Sequence, residues 1–197
     1  MSEIIHYKIT FLDFWHLSSG ISGGVRFDNS VIKDSDRFPF VPAKSLKGVL
    51  REVATLQKAH FSNDFVESCF GEEAQKNRVP NAGTCHFSNA TLSQSTKNEL
   101  KAQNLTHFLF TKIASTAINE DSGSAEEGSL REIEAVKPIS LYGTIHNIPS
   151  QHTQSMQNLL KSLKSMGLNR NRGLGRLKIE ILESKTNADF HALKRAK

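Results

Sequence analysis

The period of the hydrophobic residues switches several times along this chain, and the order of the switches leaves few folds open. Ile5, Tyr7, Ile9 and Phe11 alternate with His6, Lys8 and Thr10, the period of two that predicts a half-buried strand over about 4–15. Leu46, Val49, Leu50, Val53 and Leu56 then recur at helical spacing, which predicts a helix over about 44–58 after the stiff approach through Pro39 and Pro42. The stretch 60–83 shows no period. A second strand is expected at about 84–92, around Cys85-His86-Phe87-Ser88-Asn89-Ala90, and a third from Val136 to Ile148. Met156, Leu159, Leu160, Leu163 and Met166 predict a helix over about 150–166, and Leu177, Ile179 and Ile181 alternate as a last strand. Strand, helix, strand, strand, helix, strand is the ferredoxin-like (RRM-like) βαββαβ plan of an α+β fold.

Two stretches interrupt that plan. From Leu17 to Asp36 the sequence turns to Ser, Gly and Asp, including Gly23-Gly24, which predicts a long loop after the first strand. Loops above ~12–15 residues in a compact domain are usually functional or disordered. Between about 106 and 136 the run Phe108-Leu109-Phe110 gives way to polar residues with the turn signals Asp121-Ser122-Gly123 and Glu127-Gly128, the pattern of an inserted hairpin. The chain of 197 residues is therefore expected to form a single domain over 1–183, followed by a polar tail at 184–197.

Composition excludes several classes. Cys69 and Cys85 are the only cysteines and form no CxxC pair, against a disulfide scaffold or a cysteine-based zinc site. No apolar run approaches the ~18 residues of a membrane span, and Met1-Ser2-Glu3 does not open a secretion signal. A cytoplasmic protein with no membrane partner is expected. The net charge of +5 is small, but it is sorted. Between Ala135 and Ile179 there is no acid, against the bases Lys137, Lys161, Lys164, Arg170, Arg172, Arg176 and Lys178, whereas Asn119–Glu134 is strongly acidic. Such sorting favours a polyanion partner over an evenly solvated surface.

Two segments could hold phosphate. Lys44-Ser45-Leu46-Lys47-Gly48 lacks the spacing of a nucleotide-binding loop, but it puts Lys44, Lys47 and Arg51 on one helix face with Ser45 at the helix start. A solvated basic face with a capping serine reads equally well there. Asn169-Arg170-Asn171-Arg172-Gly173-Leu174-Gly175-Arg176 combines glycines, which let a backbone approach a ligand, with three forked arginine donors; a tight helix-to-strand turn also accounts for its glycines.

Four stretches stand out, Trp15-His16-Leu17-Ser18-Ser19-Gly20, Asp28-Asn29-Ser30-Val31-Ile32-Lys33-Asp34, Phe38-Pro39-Phe40-Val41-Pro42-Ala43-Lys44-Ser45-Leu46-Lys47-Gly48-Val49-Leu50-Arg51 and Arg172-Gly173-Leu174-Gly175. Taken together, they make the chain resemble the RAMP superfamily of CRISPR-associated proteins, and in particular the repeated backbone subunit of type III effector complexes. The resemblance spans about residues 4–182. Ala43-Lys44 departs from the Gly-Ser usual in the family.

The resemblance implies a subunit that stacks with copies of itself and other CRISPR effector subunits along a guide CRISPR RNA. Lys44, Ser45, Lys47, Arg51, Arg170, Arg172, Gly173, Gly175 and Arg176 would contact RNA. The hairpin would be a thumb whose Ile113 and Ile118 wedge into the guide–target duplex. Asp28 would cut the target RNA, with His16 as a helper and a divalent ion, Mg2+, held at Asp28, making the chain a metal-dependent endoribonuclease within its complex. Two alternatives stand beside this: a guide-binding subunit without catalysis, and an accessory protein–protein module using the acidic hairpin.

Overall fold

The computed structural model describes residues 2–20, 29–62, 64–72, 79–119 and 122–182. Strand β1 (Ser2–Phe11) forms where the period of two is strongest and becomes an inner strand. It pairs antiparallel with β5 (Ser140–Pro149) on one side and β6 (Leu177–Leu182) on the other. β2 (His86–Phe87) adds to the far edge of β5, giving the antiparallel order β2-β5-β1-β6. A separate two-stranded sheet joins β3 (Phe110–Ser115) to β4 (Arg131–Val136) in unbroken register from Phe110↔Val136 to Ser115↔Arg131. The expected hairpin is therefore present.

One core binds the elements together. Tyr7, Ile9 and Phe11 of β1 meet Leu141, Ile145 and Ile148 of β5, Leu46, Leu50 and Ala54 of α1 (Ala43–Leu56), and Met156, Leu159 and Leu160 of α4 (Thr153–Ser162). Each side chain of this kind stabilises the fold by roughly 1.5–3 kcal/mol when it leaves water. Gly143 lies opposite Tyr7, and a Cβ there would fall on the Tyr7 ring. Burial keeps the Tyr7 phenol protonated far above its usual range, and its hydroxyl has no hydrogen-bond partner among the described residues.

Several elements differ from expectation. The stretch 60–83 holds α2 (Phe65–Phe70), which buries Phe65, Cys69 and Phe70. A further helix, α3 (Gln94–Ala102), is capped by the Ser93 hydroxyl accepting from the Thr96 amide, and none of its residues is buried. The second strand shrinks to two residues because Ser88 and Asn89 divert its ladder. The Ser88 hydroxyl accepts the Thr144 amide at 2.8 Å, and the Asn89 side chain accepts the Ala43 amide at the start of α1, also at 2.8 Å. The fourth helix stops at Ser162, after which the chain runs extended and the Lys164–Met166 stretch pairs with Gly175–Leu177. No helix among the described residues is long and apolar enough to cross a membrane. The polar tail at 184–197 lies outside the described residues.

Candidate RNA interface

The segment after β1 is the junction on which the motifs converge. Trp15 stacks on Phe11 with ring centroids 4.3 Å apart, and its backbone exchanges two hydrogen bonds with Val136 of β4 at 3.0 and 2.8 Å. The His16 carbonyl accepts Leu168 N–H, the Leu17 carbonyl accepts Ile32 N–H, and Ser19 N–H donates to Ser30. Gly175 N–H donates to the Phe14 carbonyl at 2.8 Å. One short strap thus carries the thumb base, the residues following the long loop, and the Gly-rich turn. The strap, the residues after the long loop and the turn are three of the four stretches singled out by sequence.

The fourth, α1, reaches the turn from its other side through Glu52, which lies 3.6 Å from Arg170. On α1, Lys44 is exposed, whereas Ser45, Lys47 and Arg51 are half-buried, and the Lys47 ammonium sits 5.9 Å from the Phe87 ring centroid. Ser45 caps nothing. The N-cap is Pro42, and Asn89 supplies the capping oxygen.

The turn divides into framework and free groups. Gly175 is buried at φ +70°, with no room for a Cβ against the Met166 carbonyl. It therefore shapes the turn and presents nothing outward. Arg176 makes a two-pronged pair with Asp13 at 2.5 and 3.0 Å, and this guanidinium holds the Asp13 carboxyl below the usual carboxylate range. Gly173 is exposed at φ +86° with open space around it. Arg172 is exposed and faces the thumb.

Between Arg172 and the thumb lies a cleft of about 320 Å³ lined by Ser115, Thr116, Ala117, Glu126, Ser129, Arg131 and Arg172. The hydroxyls are internally paired: Thr116 and Ser129 lie 2.6 Å apart, and Ser129 bonds to the Glu126 carbonyl. Neither the Arg131 nor the Arg172 guanidinium pairs with another side chain among the described residues. Two unpaired cations facing one opening can hold a phosphate oxygen from two sides. The sequence does not single out Arg131, because there it stands alone among acids.

Ile113 is half-buried opposite Ile133 in the ladder, so it stiffens the thumb, whereas Ile118 is 57% exposed and Leu130 is 66% exposed nearer the tip. Leu130 is a second apolar tip residue that the polar surroundings hide. His16 is fully buried, with its Nδ1 donating to the Glu134 carbonyl at 2.6 Å. In this structure the His16 ring is closed off from solvent and spends its Nδ1 on the hairpin backbone. Asp28, and with it the expected Mg2+ position, lies outside the described residues. Asn29, the next residue, is described, and its carbonyl accepts the Glu134 amide of the thumb at 3.1 Å. Among the described residues no three His, Cys, Asp or Glu side chains converge as a metal site would require.

An antiparallel sheet backed by helices, with a hairpin and a Gly-rich turn meeting at one strap, defines a mixed α/β fold. The sequence matches the RAMP superfamily over residues 8–178, and the chain belongs to that family. No curated protein matches it in sequence. Among solved structures it is similar to a chain of the Type III-B Cmr-beta complex bound to cognate target RNA, determined by cryo-EM. That match has a TM-score of 0.73 at 12% identity and covers 91% of this chain and 97% of the other. A chain of the apo Type III-B Cmr-beta complex matches with a TM-score of 0.71 at 13% identity, over 92% and 98% of the two chains.

Proposed function

We propose that this chain is a guide-RNA-binding backbone subunit of a cytoplasmic type III CRISPR ribonucleoprotein, stacked with copies of itself and other effector subunits along the guide. The observation that carries this reading is the cleft lined by Arg131 of the thumb and Arg172 of the Gly-rich turn, neither of which pairs with another side chain among the described residues. Lys44, Lys47 and Arg51 on α1, and Arg170 in the turn where it meets Glu52, would add further contacts to the guide backbone. Antiparallel order β2-β5-β1-β6 with α1 and α4 packed in the same core is what a ferredoxin-like plan would produce, and the likeness to a complex bound to target RNA supports the same reading.

We further propose that Asp28 cuts the target. In RNA the 2′-oxygen is an internal nucleophile. Asp28 takes its proton, the oxygen bonds to the adjacent phosphorus, and the bond from phosphorus to the 5′-oxygen breaks; the departing oxygen takes a proton from water, leaving a 2′,3′-cyclic phosphate and a 5′-hydroxyl. Ile118 and Leu130 at the thumb tip would splay the backbone into the in-line geometry this step needs. For Mg2+, Asp28 would be the protein ligand. Among the described residues, Glu134, which bonds the segment after Asp28, is committed to Lys33, and Asp34 is committed to Lys97, so these carboxylates do not add up to a metal site of their own.

A guide-binding subunit without catalysis is the second reading, favoured by that same commitment of the neighbouring acids. Reconstitution with guide RNA and end-labelled target RNA separates the two. The first predicts products at regular intervals that vanish in Asp28→Ala; cutting that survives Asp28→Ala refutes it, and a wild-type complex that binds without cutting selects the second.

A further inference from the structure

Glu134 is the one buried acid among the described residues of the hairpin. Its residue surface is 6% exposed, and a carboxylate in that position costs several kcal/mol unless both oxygens are answered. Both are. One oxygen accepts the Val31 amide at 3.0 Å and the other accepts the Lys33 ammonium at 2.7 Å. The backbone is used as fully: the Glu134 amide donates to Asn29 at 3.1 Å, and its carbonyl accepts His16 Nδ1 at 2.6 Å. Lys33 is held from a second side by the Phe110 ring, 4.3 Å away at the base of the thumb. One residue of β4 therefore fixes three consecutive odd positions, Asn29, Val31 and Lys33, of the segment that begins immediately after Asp28, and fixes the strap as well.

A wedge and a cutting group are useful together only if they act on the same linkage of the RNA. The thumb and the 29–33 segment belong to parts of the chain about a hundred residues apart, and the Glu134 bonds are what sets one against the other. We propose that Glu134 is a positioning residue that fixes the 29–33 segment, which follows Asp28 in the chain, against the thumb, so that the cut falls beside the nucleotide the thumb displaces. This rests on the reading of Asp28 as the cutting group.

The test uses the reconstituted guide complex with Glu134→Gln, which keeps the volume and one acceptor but removes the charge opposite Lys33. Lys33→Met serves as a second variant that leaves the Glu134 backbone bonds untouched. Target affinity should stay at the wild-type value while the single-turnover cutting rate falls about ten- to a hundredfold, the scale of a small misplacement. The products should spread onto neighbouring linkages. The double variant should lose no more than the larger single loss, because the two side chains act as one unit. Hydrogen exchange at the Val31 amide should speed up while the thumb ladder stays protected. Wild-type rate and unchanged cut sites in folded Glu134→Gln overturn the assignment, as does an equal loss of affinity and rate with unchanged cut sites. A wild-type complex that does not cut, or an Asp28→Ala complex that does, overturns instead the reading on which it rests, and the exchange measurement separates the two failures.

Discussion

Gly173 and Gly175 sit two residues apart in the same turn, both at positive φ, and the structure assigns them different costs on substitution. Any Cβ at φ near +70 to +86° costs about 1–2 kcal/mol from backbone crowding alone. At Gly173 nothing else lies in the way, so Gly173→Ala should lose about that much and no more. At Gly175 the added methyl would also run into the Met166 carbonyl, whose own amide donates to the Gly175 carbonyl at 3.0 Å. Relieving the collision means breaking that bond or the 2.8 Å bond from Gly175 to Phe14, and overpacking of this kind adds about 1–3 kcal/mol. Gly175→Ala should therefore cost about 2–5 kcal/mol in total. For a chain of this size each kcal/mol moves Tm by about 2–4 °C, so the two variants should differ by several degrees in a thermal melt. Equal melting temperatures for the two variants would refute the claim that Gly175 is required by its packing against Met166 rather than by φ.

Two further outcomes follow from single groups. Tyr7→Phe removes a buried hydroxyl that has no partner among the described residues, so it should raise stability by about 1 kcal/mol in denaturant unfolding; a loss of stability would mean the hydroxyl is satisfied after all. Because Arg176 lowers the pKa of Asp13, the carboxylate's stabilising effect is complete above the unfolded value of about 3.9 and is lost as pH falls through the lower folded value. An NMR titration should find the Asp13 midpoint below that of an unfolded aspartate in the wild type and moved up toward it in Arg176→Ala. Identical midpoints in the two proteins would count against the pair.

What is legible in the sequence is whatever carries a strong period. β1, α1, the hairpin and β6 all bury alternate or helically spaced side chains, so burial and pattern coincide. α3 escapes because it buries nothing; the signal that could have found it is Ser93 three residues ahead of Thr96, an N-cap geometry. The strand expected at 84–92 is overlong because the pattern of apolar residues does not reveal that Ser88 and Asn89 spend their side chains on Thr144 and Ala43. At the site, the basic turn and helix are visible as charge, but their use is not. Arg176 is consumed by Asp13, while Arg131, hidden among acids, pairs with no other side chain among the described residues. Glu134 reads as one more solvated acid because its partners lie 101 and 103 residues away, although its period with Val136 places it on the inward face of β4.

The salt dependence of guide binding tests the central claim most directly. Removing a single phosphate contact on single-stranded RNA should flatten the slope of log affinity against log salt by about 0.7, so Arg131→Ala and Arg172→Ala should each lower it by about that amount and the double variant by about 1.4. Slopes and affinities unchanged from wild type in all three would contradict the assignment of the cleft, and with it the reading of this chain as a guide-RNA-binding subunit.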